Sequence, residues 1–310
     1  MKLLEDNTKF NEIVIRVAKW KNLTKESIIR DFYIVELLKN LANSEYVEQC
    51  VFKGGTSLSK CYPGSIERFS EDIDLTFLGM DLNDNKCDKM LKRIEQTIIG
   101  QFSFEKIINE RNQRNKSSYI WYDNYSSGIK LEIGSQIRPD PYSKKEVKSY
   151  IYEYFEMNGM FGLIEKYELK KIQINVLNIE RTFIDKVMAI KRHAICGTLI
   201  KKVRHLYDIY RLLLMEDIRK FLADKDELKR LLQLTKKTDS FYLNKRNINV
   251  KYNSMEAYDF NSWKDKLNKE IKSIYEELYL TLLYRREKIY FKDAIKSLEY
   301  INTIFESIGE

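Results

Sequence analysis

VFKGGTSLSKCYPGSIERFSEDIDLTF, Val51 to Phe77, is the stretch on which the reading of this chain turns. An apolar lead-in reaches a Gly-Gly pair, a polar helix start follows, and two aspartates separated by one apolar residue close the run. In a strand, side chains two apart point the same way, so Asp72 and Asp74 share one face while Ile73 and Leu75 share the other. Like charges held that close push one pKa up or require a cation. A hard divalent ion with oxygen ligands, Mg²⁺ for choice, meets the requirement, and two such ions suit an in-line phosphoryl or nucleotidyl transfer. Gly54, Gly55, Thr56 and Ser57 supply the complementary half: glycines let the backbone approach closely, and the N–H groups opening a helix over Ser57 to Cys61 form an anion site for a triphosphate. Lys53 and Lys60 flank that bend. Each piece by itself is ordinary, since D-x-D occurs on solvated strand faces and Gly-Gly in plain turns.

Their order is more specific. An apolar strand, Gly-Gly, a short helix and D-x-D on a neighbouring strand resemble the arrangement of DNA polymerase β-type nucleotidyltransferases. The runs FKGGTSLSK and RFSEDIDL resemble the AbiEii/AbiGii toxin family of nucleotidyltransferase-like proteins, which includes the MenT toxins.

The remainder of the chain supports a folded protein. It has 310 residues, 44% of them hydrophobic, which suffices for one large or two modest domains. Lys and Arg number 54 against 46 Asp and Glu, a net charge of +8 that biases the surface toward polyanions without identifying one. Cys50, Cys61, Cys87 and Cys196 show no paired short spacing, and His193 and His205 are the only histidines, so neither a zinc site nor a disulfide framework is legible. The N-terminus carries acids early and no uninterrupted apolar core, and no run approaches the ~18 apolar residues of a membrane span. A cytoplasmic location without membrane attachment is the expectation.

Residues 8 to 45 read as two helices, the first marked by Phe10, Ile13, Val14 and Val17, the second opened by Thr24 as N-cap and running from Ile28 to Leu41. Asp84 to Ile99 is a further amphipathic helix. The period then shifts to two, predicting strands over Phe104 to Glu110, Ser118 to Tyr122, Gly128 to Ile137 and Leu169 to Leu177. Glu132 is the one acid in the third of these; it reads either as a third carboxylate beside D-x-D, as polymerase β-type sites usually have, or as half of an exposed Lys/Glu alternation with Lys130. Tyr142 to Tyr154, with Lys144, Lys145 and Lys148 among its tyrosines, could grip phosphates and stack bases; a solvated helix with a partly buried aromatic stripe fits slightly better. Gly159 and Gly162 mark a loop.

From Ile179 onward the pattern is helical. NIERTFIDKVMAIKRH resembles the family's third motif, with Lys186 as its lysine and Ala189 as its small residue, although His193 stands where the family has arginine. A lysine within the apolar face of Phe183, Val187 and Ile190 must snorkel or point into a polar cleft. KKVRHLYDIYRLL resembles the fourth motif: Asp208 matches its second aspartate, and His205 stands in place of the first. Without the resemblance Asp208 reads as an intrahelical ion pair with Arg204 or Arg211. Basic clusters at Lys225 to Arg230, Lys236-Lys237, Lys245-Arg246 and Arg285-Arg286-Glu287-Lys288 are solvated faces, or the resting place of an RNA.

The expected fold is therefore mixed α/β: N-terminal helices over 1–46, a polymerase β-type nucleotidyltransferase core with a mixed sheet over 47–178, and a helical domain over 179–310. The resemblance implies a toxin of a toxin-antitoxin or abortive-infection system that transfers nucleotides from an NTP to RNA, at the tRNA 3′ end, and so blocks aminoacylation. Asp72, Asp74 and Glu132 would hold Mg²⁺; Gly54, Gly55 and Ser57 would cradle phosphates; Lys186 would neutralise the triphosphate end; and Asp208 would orient nucleotide or acceptor. Ser70 stands where MenT-like relatives have a serine at the site, and an AbiEi-like antitoxin is the implied partner. Two other readings remain open at this stage: an enzyme that transfers a nucleotidyl or phosphoryl group to protein, and a non-catalytic binding module with the same fold.

Overall fold

The computed structural model of the chain describes residues 2–122, 128–245, 252–281 and 288–310. Arg246, Arg285, Arg286 and Glu287, named above in basic clusters, lie outside the described residues. The chain divides into two compact units, one made of Met1–Pro63 and Arg68–Leu177, the other of Gly64–Glu67 and Asn178–Glu310.

In the first unit, α1 (Lys2–Glu5), α2 (Asn7–Lys21) and α3 (Lys25–Ala42) precede β1 (Cys50–Lys53) and α4 (Gly54–Cys61). Then follow β2 (Ile73–Phe77), α5 (Asp84–Ile99), β3 (Ser103–Lys106), β4 (Asn115–Trp121), β5 (Ile129–Gly134), β6 (Tyr142–Val147), α6 (Tyr150–Met157), α7 (Phe161–Lys166) and β7 (Ile172–Leu177). Helix α3 starts where Thr24 accepts a hydrogen bond from the Ser27 amide at 3.1 Å, satisfying a donor that a helix start leaves without an intrahelical partner. Its long apolar run, from Ile28 to Leu41, is buried nearly throughout. Among the described residues, seven strands form one mixed sheet in the order β3-β4-β5-β2-β1-β7-β6. Strand β2 is antiparallel to β1 and parallel to β5. Such a mixture needs the long crossover through α5, β3 and β4 that the sequence supplies.

Alternation sorts the two sheet faces. Ile73, Leu75, Ile129, Leu131 and Ile133 are buried. On the same face, Ser118, which pairs with Leu131, donates to Glu95 of α5 at 2.8 Å. Helix α5 therefore covers the apolar side, and Asp74, Lys130 and Glu132 belong to the other.

The second unit is helical: α8 (Ile179–Ile195), α9 (Val203–Leu213), α10 (Glu216–Ala223), α11 (Lys225–Lys245), α12 (Lys269–Thr281) and α13 (Phe291–Glu306). Helix α8 packs on α9, α10 and α11, while α12 and α13 pack on α9. Phe183, Ile190, Leu206, Ile209, Leu298 and Phe305 are among the residues fully enclosed in its core. The mixed α/β architecture with a helical C-terminal half is the one the sequence predicts. Among the described residues no helix is long and apolar enough to cross a membrane.

Several segments differ from expectation; strand β5 ends at Gly134 rather than Ile137, and β7 begins at Ile172 rather than Leu169. Tyr142 to Tyr154 is not one helix: β6 runs along β7 at the sheet edge, and α6 begins only after Ser149, whose hydroxyl accepts from the Tyr152 amide. The strand expected to reach Glu110 stops at Lys106 and gives way to a 3₁₀ turn over Ile108–Glu110. Gly162 sits inside α7 rather than in a loop.

Candidate active site

The Gly-Gly bend and the carboxylate strand meet directly. Strands β1 and β2 pair so that Lys53 lies opposite Asp74, and β2 and β5 pair so that Asp74 lies opposite Glu132. Lys53, Asp74 and Glu132 thus form a row across three strands on one face of the sheet. Strand β2 begins at Ile73, one residue later than the alternating pattern suggests, yet burial still alternates from half-buried Asp72 through buried Ile73 to half-buried Asp74 and buried Leu75.

Gly54 has φ +85°, and a Cβ built there would stand 2.4 Å from Asp74 Oδ2. Both the backbone angle and the space demand glycine, because the Asp74 carboxylate fills the place a side chain would take. A Cβ on Gly55 would stand 2.7 Å from Ser70 Oγ and 3.1 Å from Nη2 of buried Arg68. Thr56 completes the clasp: its hydroxyl donates to the Asp72 carbonyl at 2.5 Å, and its Oγ1 lies at hydrogen-bond distance, 3.0 Å, from Ser70 Oγ. Ser57 turns inward, its hydroxyl donating to the Gly54 carbonyl at 3.0 Å. The start of α4, Ser70, Asp72 and Asp74 are therefore one connected assembly. Behind it, Arg30 of α3 pairs with Glu71 and donates to the Tyr122 hydroxyl at 3.3 Å.

Lys60 is drawn elsewhere. Its side chain is 1% exposed and pairs with Asp31 of α3, whose second carboxylate oxygen accepts from the Tyr150 amide at 2.6 Å. The ammonium also sits 3.6 Å from the Tyr150 ring centroid. Burial raises the Asp31 pKa against the opposing pull of Lys60. Helical spacing turns Lys60 inward to join α3, α4 and α6, whereas Lys53 stays half-buried beside Asp74.

Around Glu132 the charges are arranged by Lys130. Its Nζ lies 2.7 Å from Glu110 Oε2 and 3.6 Å from Glu132 Oε2. Partial burial works to lower the Lys130 pKa, but the hydrogen bond to Glu110 and the charges of Glu132, Glu110 and Asp72 outweigh it and hold the pKa above the ordinary lysine value. Among the described residues no three His, Cys, Asp or Glu side chains stand close enough together to cage a metal ion. The donor chemistry nonetheless fits a hard cation: Asp74 and Glu132 are adjacent across the sheet, Asp72 precedes Asp74 by two positions, and Gly54 leaves room for carboxylate oxygen where a Cβ would intrude.

In the helical unit, Lys186 of α8 and Asp208 of α9 pair with each other, Nζ to Oδ2, at 2.8 Å, with side chains 6% and 0% exposed. Asp208 is thus held across two helices by Lys186, whereas Arg211 pairs with Glu67. His193 Nδ1 lies 2.8 Å from Thr198 Oγ1, and burial, followed by the charges of Arg192 and Lys202, pushes its pKa down to about 4. Arg192 pairs with Asp239.

Residues 36–284 match a family model described as nucleotidyl transferase AbiEii toxin, type IV TA system. The chain belongs to the AbiEii nucleotidyltransferase toxin family. That membership confirms the resemblance carried by FKGGTSLSK and RFSEDIDL. Among solved structures this AbiEii chain is similar to MenT4, a nucleotidyltransferase toxin of Mycobacterium tuberculosis H37Rv, at 14% identity and TM-score 0.46, with 96% of this chain and 98% of that one covered. It is also similar to JHP933 of Helicobacter pylori, at 18% identity and TM-score 0.39, with 83% and 94% covered. A putative nucleotidyltransferase of H. pylori matches at 18% identity and TM-score 0.39, with 83% and 97% covered. No curated protein matches the sequence.

Several residues of this candidate site leave little trace in the sequence. Arg68 is visible in RFSEDID, but nothing in the string reveals that its guanidinium is buried against Gly55. Lys130 shows in the alternation with Glu132, while Glu110 and Arg30 arrive from distant segments and leave no local signal.

Proposed function

We propose that this AbiEii-family toxin transfers a nucleotide from an NTP to an RNA acceptor, the 3′ end of tRNA, and thereby blocks translation. The observation that carries the reading is the seating of the Asp74 carboxylate on the Gly54 bend, in register with Glu132. Family membership supports the nucleotidyl chemistry, and the tRNA acceptor and an AbiEi-like antitoxin partner are proposed from the family resemblance.

In this reading the triphosphate lies on the N–H groups that open α4, where unsatisfied donors and the helix dipole favour anions. Lys53, beside Asp74 in the strand register, adds positive charge. Ser70, fixed by Thr56, offers a hydroxyl to the phosphates. Asp72, Asp74 and Glu132 would hold Mg²⁺, which when bound neutralises charge on the triphosphate and on the pentavalent phosphorus. The acceptor hydroxyl oxygen bonds to the α-phosphorus, the bond to the β-phosphate oxygen breaks, and pyrophosphate leaves; Glu132 takes the hydroxyl proton. Lys186 and Asp208 enter the proposal through the third and fourth motifs alone, Lys186 to meet the triphosphate end and Asp208 to orient nucleotide or acceptor.

Incubating the protein with each labelled NTP and either total tRNA or lysate protein, followed by mass spectrometry of RNA 3′ ends, tests the assignment. Extension of tRNA 3′ ends that Asp74→Asn abolishes is the expected result. Label confined to protein would overturn the RNA acceptor, and growth inhibition that survives Asp72→Ala with Asp74→Ala would favour a binding role instead.

A further inference from the structure

Lys130 is marked by none of the motifs, yet its ammonium stands beside Glu132, one of the carboxylates assigned to the cation. It reaches Glu110 Oε2 at 2.7 Å and Glu132 Oε2 at 3.6 Å, and the parallel register that sets Ile73 beside Leu131 puts Asp72, one residue earlier, next to Lys130. The four groups come from three segments: Lys130 and Glu132 from β5, Glu110 from the 3₁₀ turn after β3, and Asp72 from the residue before β2. On β4 the residues opposite Lys130 and Glu132 are Tyr119 and Ser117, both neutral. The two contacts are unequal, since 2.7 Å is a full charge-assisted hydrogen bond and 3.6 Å is beyond one. Glu110 therefore holds Lys130 firmly, and Glu132 holds it loosely.

We propose that Lys130 is the resident counter-ion of the cation site: it neutralises Asp72 and Glu132 before a divalent ion arrives, then yields them by withdrawing onto Glu110. This rests on the metal reading of Asp72, Asp74 and Glu132. The physical reason is that neighbouring carboxylates cannot all stay ionised without positive charge nearby. An ammonium already in place offsets the carboxylate charge in the empty state and competes with the cation that replaces it. Lys130 is a positioning residue, and Glu110 is the acceptor that sets how easily it leaves.

The two residues have opposite signs, which gives the test. Mn²⁺ is titrated calorimetrically into the full chain, and thermal midpoints are read with EDTA and with Mn²⁺. Lys130→Met removes the competitor, so Mn²⁺ should bind about tenfold tighter, while the midpoint in EDTA falls and Mn²⁺ restores it. Glu110→Gln removes the resting place, so Lys130 clings to Glu132 and Mn²⁺ should bind several-fold more weakly. Lys130→Arg keeps the charge and should match the wild type in EDTA. Circular dichroism establishes that each variant is folded, and Glu110→Gln carries the test should Lys130→Met not fold. If the wild type binds Mn²⁺ and Asp74→Asn abolishes it, yet Lys130→Met binds no tighter or Glu110→Gln no weaker, the counter-ion role is wrong and the metal reading stands. If the wild type binds no Mn²⁺, the metal reading falls and takes this proposal with it.

Discussion

Gly54→Ala is the substitution with the most to reveal, because two separable penalties meet at one atom. The first is the backbone: at φ +85° an alanine costs about 1–2 kcal/mol. The second is the Cβ itself, which would stand 2.4 Å from Asp74 Oδ2, so the carboxylate must retreat by about 1 Å to reach ordinary contact. A misplacement of about 1 Å in a reacting assembly costs on the order of a hundredfold in rate. Gly159 provides the control. It has φ +67° in the same unit but nothing within 4 Å of its Cβ position, so Gly159→Ala meets the backbone penalty alone. Both variants should lose a few degrees of thermal midpoint, at about 2–4 °C per kcal/mol for a unit of this size. In an assay of nucleotide incorporation from labelled NTP, Gly54→Ala should fall about a hundredfold while Gly159→Ala stays near wild type. Equal activities in the two variants would refute the claim that Asp74 works from the Gly54 bend.

Three further outcomes follow from the placements described above. Lys60→Met leaves the Asp31 carboxylate buried beside Tyr150 without its cation, so chemical denaturation should show a loss of about 3–5 kcal/mol; retained stability would mean that Asp31 finds another cation. Lys186→Met and Asp208→Asn should each destabilise by a similar ~3–5 kcal/mol, while the double variant recovers part of the loss. If the double variant regains stability but not nucleotide incorporation, the pair serves chemistry; regaining both would make it structural. For His193 the folded pKa, about 4, lies below the ordinary 6.5, so the unfolded chain binds more protons between those values and stability declines as pH falls from 6.5 toward 4. The full shift corresponds to about 3.4 kcal/mol, which solvent screening at this half-buried ring reduces to roughly 1–2. Melting of His193→Gln against wild type between pH 7 and 4 checks it, and parallel curves would count against the assignment.

Much of the fold was legible in the sequence because local patterns and tertiary packing agree. Thr24 caps α3, and Phe10, Ile13, Val14 and Val17 form the buried stripe of α2, as their spacing predicts. Where burial is polar, the pattern misleads. Strand β4 begins at Asn115, three residues before the apolar alternation, because buried Lys116 and Ser117 are satisfied by partners that a string cannot reveal; Lys116 reaches Asp88 at 2.8 Å. Strand β6 reads as helix because, at the sheet edge, its tyrosine and lysines are partly solvated. At the site, the spacing of Asp72 and Asp74 made a shared face expected, and the register with Glu132 and Lys53 is what three-dimensional pairing adds. Lys60 shows the limit: proximity in sequence to the bend cannot reveal that α4 turns its ammonium toward Asp31.

Glu67 ties the order of synthesis to the finished structure. With φ +41° it holds a conformation uncommon for a residue with a side chain, and Arg211 pairs with its carboxylate and donates to the Gly64 carbonyl at 3.1 Å. Arg211 lies 144 residues further on, so at about 5–20 residues per second a ribosome delivers the clamp roughly 7–30 s after the strained peptide has emerged. Until then Gly64 and Glu67 lack this anchor, while Ser70, Glu71 and Asp72 already have theirs in Thr56 and Arg30. A truncated protein ending at Leu177 would keep it in that unfinished condition permanently, so such a fragment should tolerate proteases poorly near Gly64 and should not be taken as a faithful miniature of the whole.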